Sequence, residues 1–183
     1  FAMTPFGDHL AELCAARGPI CAGVDPRADR LPAGLDAAGW ALALADLLGP
    51  RVPVLKPQLA FFGDEWAGPE AQARAAARHG ALTLADCKRG DIDSTAEAYA
   101  ERILGPASPF AAATVNPYLG RDSLLPFVNQ AAAQGKGVFV LVRTSNPGSA
   151  DLQELRLEGG ERVYERVARL VHELGAPHVG RSG

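Results

Sequence analysis

The sequence predicts an α/β protein built around a parallel sheet, and three observations lead to this prediction. Short apolar segments that are typical of strands alternate with longer segments that are typical of helices. The segment at 137–144 is apolar on both faces, as a strand of a buried parallel sheet must be. Charged or polar residues recur where the predicted strands end, which is where active sites of parallel α/β proteins collect.

The first two predicted helices flank a short strand. Apolar side chains recur at helical spacing through residues 5–18, and a glycine ends this helix. Residues 19–25 are an apolar run that ends in an aspartate, which predicts the first strand. Residues 37–48 are rich in alanine and leucine, and Gly49-Pro50 ends the helix predicted there.

The next two strands each end in charge. Lys56 lies at the end of a face that otherwise carries valines. In the third strand, Asp86 and Lys88 continue the face of Leu82 and Leu84, because side chains alternate along a strand. A lysine at a strand end commonly reaches only into solvent, but by analogy with the third strand Lys56 is expected to neighbour Asp86. The elements predicted here are strands at 51–58 and 82–88 and helices at 69–79 and 91–101.

The last part of the chain repeats the pattern. Val163, Val167 and Leu170 fall on one side of an amphipathic helix. The elements predicted here are strands at 111–117 and 137–144, helices at 122–134 and 161–174, and the opening of a sixth strand at 175–180.

A parallel sheet of this kind is either doubly wound or closed as a barrel. No G-x-G-x-x-G follows the first strand, which disfavours a dinucleotide-binding sheet. A barrel best explains why polar residues recur at the ends of all five strands, because it brings those ends together. These residues are Asp25, Lys56, Asp86 with Lys88, Asn116 and Ser145.

Composition excludes several classes of function. The 18 Lys and Arg are spread among 21 Asp and Glu, so no basic surface for nucleic acid is expected. No apolar run is long enough to span a bilayer and no signal peptide is visible, so a cytoplasmic location is expected. The three cysteines and four histidines lack the spacing of a metal site or a catalytic triad.

The D-x-K-x-x-D pattern of Asp86, Lys88 and Asp91 has three interpretations. It can be a solvated loop with incidental ion pairs. It can be a magnesium site, with Asp93 and Glu97 as further oxygen ligands. It can also be a catalytic charge array, in which carboxylates keep a lysine protonated and repel an anionic group of the substrate. The pattern alone does not choose between them.

The longer string D-C-K-R-G-D-I-D-S-T-A-E-A-Y-A, which starts at Asp86, resembles orotidine 5'-phosphate decarboxylases of the bacterial branch that carries K-R-G-D-I. Further matches to that family follow the same order along the chain. They are C-A-G-V-D-P at 21–26, V-L-K-P-Q at 54–58, T-V-N-P-Y-L-G at 114–120 and V-R-T-S-N-P-G-S at 142–149.

This resemblance implies a (β/α)8 TIM barrel and a carboxy-lyase that converts orotidine 5'-phosphate to uridine 5'-phosphate in pyrimidine biosynthesis, without metal or organic cofactor. Lys88 matches the acid that protonates the ring carbon. Asp86 matches the carboxylate set against the substrate carboxylate, and Lys56 completes the array. Asp91 matches a position supplied by the neighbouring subunit, which implies a homodimer with shared active sites.

The resemblance also implies residues that bind the substrate. Asp25 and Thr95 match positions that contact the ribose, and Ser145 matches one that contacts the pyrimidine. Asn116 is a further candidate, although a loop cap before Pro117 explains it equally well.

Length and one residue depart from the family pattern. A (β/α)8 barrel typically needs ~250 residues, so residues 1–183 are expected to form a single domain, the N-terminal part of one barrel with about five to six strand-helix units. The strands that commonly build the phosphate site are then absent. Asp93 replaces a glycine of the family and is expected to cap the following helix. If the backbone there had a positive φ, Asp93 would be strained.

Two rival functions stay open. One is a magnesium-dependent sugar-phosphate decarboxylase or aldolase of the same suprafamily, which uses the same D-x-K-x-x-D scaffold. The other is a non-catalytic barrel kept for binding or assembly. The K-R-G-D-I and S-N-P-G-S strings argue against the first, and the presence of Lys56, Asp86, Lys88 and Asp91 argues against the second.

Overall fold

The computed structural model describes residues 4–63 and 66–182, which form one sheet of five parallel strands with helices between them. The strands pair in chain order, so each pair is joined by a helical crossover, as parallel pairing requires. The strands are β1 (Cys21–Val24), β2 (Val54–Pro57), β3 (Leu82–Arg89), β4 (Ala112–Val115) and β5 (Gly137–Val140).

One helix precedes the sheet and one follows each strand. The predicted alternation of helices and strands is confirmed for all five units. The helices are α1 (Phe6–Arg17), α2 (Ala37–Leu48), α3 (Ala67–Arg78), α4 (Asp93–Leu104), α5 (Arg121–Gln134) and α6 (Val163–Gly175).

The outer face of the sheet packs on the crossover helices in two apolar clusters. One cluster joins β3 and β4 to α4 and α5, with Phe110, Phe127 and Ile103 fully buried. The other joins β1 and β2 to α2 and α3 and is centred on Leu55. This burial fixes the strands side by side, and so fixes the positions of the side chains on the opposite face.

The inner face of the sheet changes from apolar to charged along the strands. At its amino end, Val54 and Leu84 form a small buried cluster with Ala112, against which Phe6 of α1 packs. The next side chains on the same face lie two residues further along each strand. They are Lys56, Asp86 and Thr114, in the carboxyl-terminal halves of β2, β3 and β4.

The sixth strand predicted at 175–180 is wrong. Helix α6 runs to Gly175, and Ala176–His178 continues it as one turn of 3-10 helix. Pro177 stands in the first turn of that helix, where its missing N–H is tolerated, whereas a paired strand would need the hydrogen bond. The part of the chain that the structure describes thus contains five strands.

None of the helices within the described residues combines the length and the apolar character that crossing a membrane would require.

Candidate active site

The carboxylate of Asp86 is the centre of the site. Asp86 is only 6% exposed, and each of its two carboxylate oxygens accepts two hydrogen bonds. Oδ2 accepts hydrogen bonds from Lys56 Nζ at 2.9 Å and from Gln58 Nε2 at 3.2 Å. Oδ1 accepts from Lys88 Nζ at 2.5 Å and from Thr114 Oγ1 at 2.9 Å. The lysine–aspartate–lysine arrangement predicted from the sequence is therefore present.

The irregular end of β3 brings Lys88 into this group. Ala85 pairs with Ala113 and Arg89 pairs with Val115. Between these two pairs β3 therefore advances by four residues while β4 advances by two. Such a bulge bends the strand and redirects side chains near its end. Lys88 lies inside it with a positive φ of 46°.

The pKa of Asp86 is lowered although its carboxylate is buried. Burial is the largest single influence and by itself would raise the pKa. The hydrogen bonds from Lys88, Lys56 and Thr114, together with the charge of Lys56, outweigh burial. Asp86 is therefore held in its anionic form.

The pKa of Lys56 is raised by the same contacts. Burial is again the largest influence and works against the ammonium, but the hydrogen bond to Asp86 and the charges of Asp86 and Asp25 prevail. Asp25 follows β1, whose Gly23 pairs with Lys56 in the sheet. The predicted residue Asp25 thus lies near enough to act on the array, although its own side chain is exposed.

The structure does not bring Asp91 and Thr95 into contact with the array. Asp91 is partly buried in the connection between β3 and α4, where its Oδ1 accepts a hydrogen bond from the Ile92 amide. Thr95 is exposed in the first turn of α4. Within the described residues, neither side chain bonds to Lys56, Asp86 or Lys88.

Asn116 directly follows β4, whereas Ser145 lies further from the sheet, in the connection after β5. Oδ1 of Asn116 accepts a hydrogen bond from the Tyr118 amide at 3.0 Å, so Asn116 caps its own loop, which is one of the two roles expected for it. Ser145 is exposed in the connection after β5. The preceding Thr144 is held by Gln153, whose amide accepts from Thr144 N and donates to Thr144 Oγ1, both at 2.8 Å.

The expectation that Asp93 caps α4 is wrong. Ile92 occupies the N-cap position, and no side chain caps this helix end. Asp93 is the first helical residue and has a φ of 46°, in the left-handed region that favours glycine. The strained alternative stated for this position is therefore the one observed.

Sequence reasoning missed two members of the site, Gln58 and Thr114. Strand alternation could have placed both at the site. Gln58 lies two residues after Lys56 and so shares its strand face, and Thr114 lies two residues before Asn116 and shares the face of that residue. A threonine within a strand is ordinarily explained by its strand propensity. Its hydroxyl becomes informative only once the neighbouring strand is known.

The magnesium interpretation finds no ligand cluster. Within residues 4–63 and 66–182, no three carboxylate, imidazole or thiol groups lie close enough together to hold a metal ion. Both oxygens of Asp86 are occupied by nitrogen and hydroxyl donors instead. The site can offer a proton from an ammonium, and it presents a buried negative charge beside it.

Fold and site together define a parallel α/β protein with a lysine–aspartate–lysine array towards the carboxyl ends of its strands. The family model described as "Orotidine 5'-phosphate decarboxylase / HUMPS family" matches residues 18–179. The chain belongs to this family.

Curated relatives agree with the family match. The chain is 45% identical over 174 residues to an orotidine 5'-phosphate decarboxylase of Nocardioides sp., a match that covers 86% of the chain and 62% of the relative. It is 43% identical over 186 residues to the enzyme of that name from Salinispora arenicola, with 95% of the chain and 67% of the relative covered. The chain thus spans somewhat under two thirds of the first relative's length and about two thirds of the second's.

Solved structures place the sheet in a barrel. A structure from Streptomyces avermitilis superposes with a TM-score of 0.87 at 38% identity, covering 99% of this chain and 67% of that one. Leishmania donovani OMP decarboxylase superposes with a TM-score of 0.78 at 36% identity, covering 97% of this chain and 69% of that one. The predicted TIM-barrel class is confirmed, and the five units described here are part of such a barrel.

Proposed function

We propose that this protein decarboxylates orotidine 5'-phosphate to uridine 5'-phosphate in pyrimidine biosynthesis, and that it does so without a cofactor. The observation that carries the proposal is the array in which Asp86 lies between the ammonium groups of Lys56 and Lys88. Relatives at 43–45% identity that bear this enzyme's name support the same reaction.

The reaction breaks the bond between a ring carbon and the substrate carboxylate. Carbon dioxide leaves, the electron pair stays on the ring carbon, and the proton of an ammonium must neutralise it. Lys88 is suited to this step because its side chain is 45% exposed and so is accessible to a bound substrate. After transfer Lys88 is a neutral amine and regains its proton from water.

Asp86 and Lys56 prepare this step. An anionic Asp86 beside the substrate carboxylate disfavours the charged ground state, and this repulsion ends when neutral carbon dioxide departs. The ammonium of Lys88 favours the developing carbanion at the same place. Lys56 keeps Asp86 ionised and in position, since it donates to the oxygen that Lys88 does not use.

The remaining site residues are assigned by resemblance. Asp25 and Thr95 would contact the ribose, Ser145 the pyrimidine, and Asn116 either the substrate or its own loop. Residues 1–183 would form a single domain, the N-terminal part of the barrel. A cytoplasmic location accords with a biosynthetic enzyme of this kind.

We also propose that the protein is a homodimer with shared active sites. Asp91 is partly buried in the loop after β3 and makes no bond to the array in the described chain, which fits a carboxylate that serves the other copy. Mixing an Asp91→Ala variant with a Lys88→Ala variant should restore part of the activity, because one site of each mixed dimer is then intact. No recovery after subunit exchange would contradict the shared site.

The reaction is tested on the full-length protein with orotidine 5'-phosphate, with uridine 5'-phosphate measured in the presence and absence of EDTA. We expect turnover that the chelator does not change. Turnover that EDTA abolishes and magnesium restores would overturn the cofactor-free mechanism and favour a magnesium-dependent relative. Absence of turnover, with binding of uridine 5'-phosphate retained, would make the protein a binding module.

A further inference from the structure

We propose that Thr114 is a positioning residue, whose hydroxyl group holds the backbone of Lys88 and the carboxylate of Asp86 in a fixed relation to each other. The inference rests on the proposed function for its catalytic consequence. The hydrogen bonds that Thr114 makes to Lys88 and Asp86 do not depend on which reaction the protein catalyses.

All hydrogen-bonding capacity of the Thr114 hydroxyl is used at this site. The oxygen accepts from the backbone amides of Cys87 at 3.0 Å and Lys88 at 2.9 Å. Its single proton is donated to Oδ1 of Asp86 at 2.9 Å. Because a hydroxyl has two lone pairs and one proton, no other arrangement of this group satisfies all three partners.

The two accepted bonds explain an unusual backbone. Lys88 has a φ of 46°, which non-glycine residues seldom adopt without support from their surroundings. Consecutive amides that converge on one oxygen form a concave nest, an arrangement that includes a left-handed residue. Thr114 fills this nest with its own oxygen, and so fixes the direction in which the Lys88 side chain leaves the strand.

The hydrogen bond that the Thr114 hydroxyl donates acts on Asp86. Lys88 Nζ and Thr114 Oγ1 share Oδ1 of Asp86, so the hydroxyl helps to hold the oxygen that the ammonium contacts. One side chain of β4 thereby orients both the proton donor and the carboxylate on β3. A loss of the hydroxyl would release both at once.

The position of Thr114 itself does not depend on its hydroxyl. Its carbonyl accepts from Cys87 Sγ at 3.3 Å, and its strand pairs with β5 through Phe139. A Thr114→Val variant is therefore expected to fold. Thr83→Val is a matched control, because Thr83 is 2% exposed on the neighbouring strand and its hydroxyl has no hydrogen-bond partner in the described chain.

The experiment compares Thr114→Val, Thr114→Ser and Thr83→Val in the full-length protein by three readouts. Amide hydrogen exchange reports the Cys87 and Lys88 N–H groups. The carbon resonance of the Asp86 carboxyl reports its titration. Turnover of orotidine 5'-phosphate reports catalysis, and thermal unfolding verifies that each variant is folded.

For Thr114→Val we expect faster exchange at both amides, titration of Asp86 at higher pH, and a loss of kcat/KM of about 10- to 100-fold, the range for a lost hydrogen bond to an ion. Thr114→Ser and Thr83→Val should resemble the parent protein. Unchanged exchange and titration in a folded Thr114→Val variant would overturn the inference. If the parent protein lacks turnover, the proposed function fails, and the first two readouts still decide the role of Thr114.

Discussion

The ammonium of Lys88 lies 2.5 Å from Oδ1 of Asp86, although only one residue separates them on β3. Side chains two apart on a strand share a face, but their backbones are ~6.6 Å apart. The left-handed conformation of Lys88 and the bulge around it accompany this close approach. Lys88 thus has its counter-ion on its own strand, whereas Lys56 reaches Asp86 from β2.

Replacement of Lys88 separates charge from proton transfer. Lys88→Ala should lower turnover of orotidine 5'-phosphate by about 10²- to 10⁴-fold, the usual contribution of a general acid. Lys88→Arg keeps a cation beside Asp86 but cannot readily release a proton, so its turnover should fall as well. Steady-state kinetics and binding of uridine 5'-phosphate measure both. Full activity in Lys88→Arg would show that charge alone suffices.

Acid should remove the stabilisation that Asp86 provides. Its folded pKa is lowered, so its contribution is complete above the unfolded pKa of about 3.9 and is lost as pH falls through the folded value. The difference in free energy of unfolding between the parent protein and Asp86→Asn should therefore be constant near neutrality and shrink below about pH 4. Urea unfolding across this range measures it. A difference that stays constant into acid would contradict the lowered pKa.

Because Asp93 at the start of α4 has a left-handed backbone, the usual preference of a helix for alanine over glycine should be reversed at this position. At Asp93, glycine should give a higher free energy of unfolding than alanine, by about 1 kcal/mol, because φ is 46°. At Glu97, inside the same helix, alanine should exceed glycine by about 1 kcal/mol. Both pairs of variants lose a carboxylate, so the charge effect cancels. Denaturant unfolding of the four proteins tests this, and the same order at both positions would refute the strain.

Lys136 should make stability rise in mild alkali. Burial lowers its pKa to about 8, and the charge of Glu101 opposes this only in part. Between about pH 8 and the unfolded pKa of about 10.4, the unfolded chain binds more protons, so stability increases with pH. The rise should be present in the parent protein and missing in Lys136→Met when unfolding curves are compared. Parallel pH profiles for the two proteins would exclude it.

The sequence predicted helices and strand ends best where local chemistry is decisive. Helix α2 was predicted at its observed bounds from its alanine- and leucine-rich composition and from Gly49-Pro50, which ends it. The structure adds that Asp36 caps it by accepting from the Gly39 amide. Strand alternation predicts that Asp86 and Lys88 share a face, and the charged end of the preceding strand predicts that Lys56 lies near Asp86. The bounds of α2 and the shared face depend on neighbours along the chain.

Features that depend on the next strand could not be predicted in this way. The role of Thr114 and the bulge that contains Lys88 arise from pairing between β3 and β4. The φ of Asp93 was misjudged because aspartate is common both as a helix cap and in left-handed positions. The strand expected at 175–180 failed because the local apolar pattern could not show that α6 would continue there.

The contact between α1 and β5 bears on the order in which the molecule assembles. The rings of Phe6 and Phe139 meet edge to face with centroids 6.1 Å apart, and Gly137 leaves room for the ring of Phe6. Helix α1 is synthesised before all five strands, yet part of the surface on which it packs belongs to β5, the last of those strands to be made. Such distant pairings form slowly. Helix α1 must therefore wait for β5 to be synthesised before it can complete its packing at the amino end of the sheet.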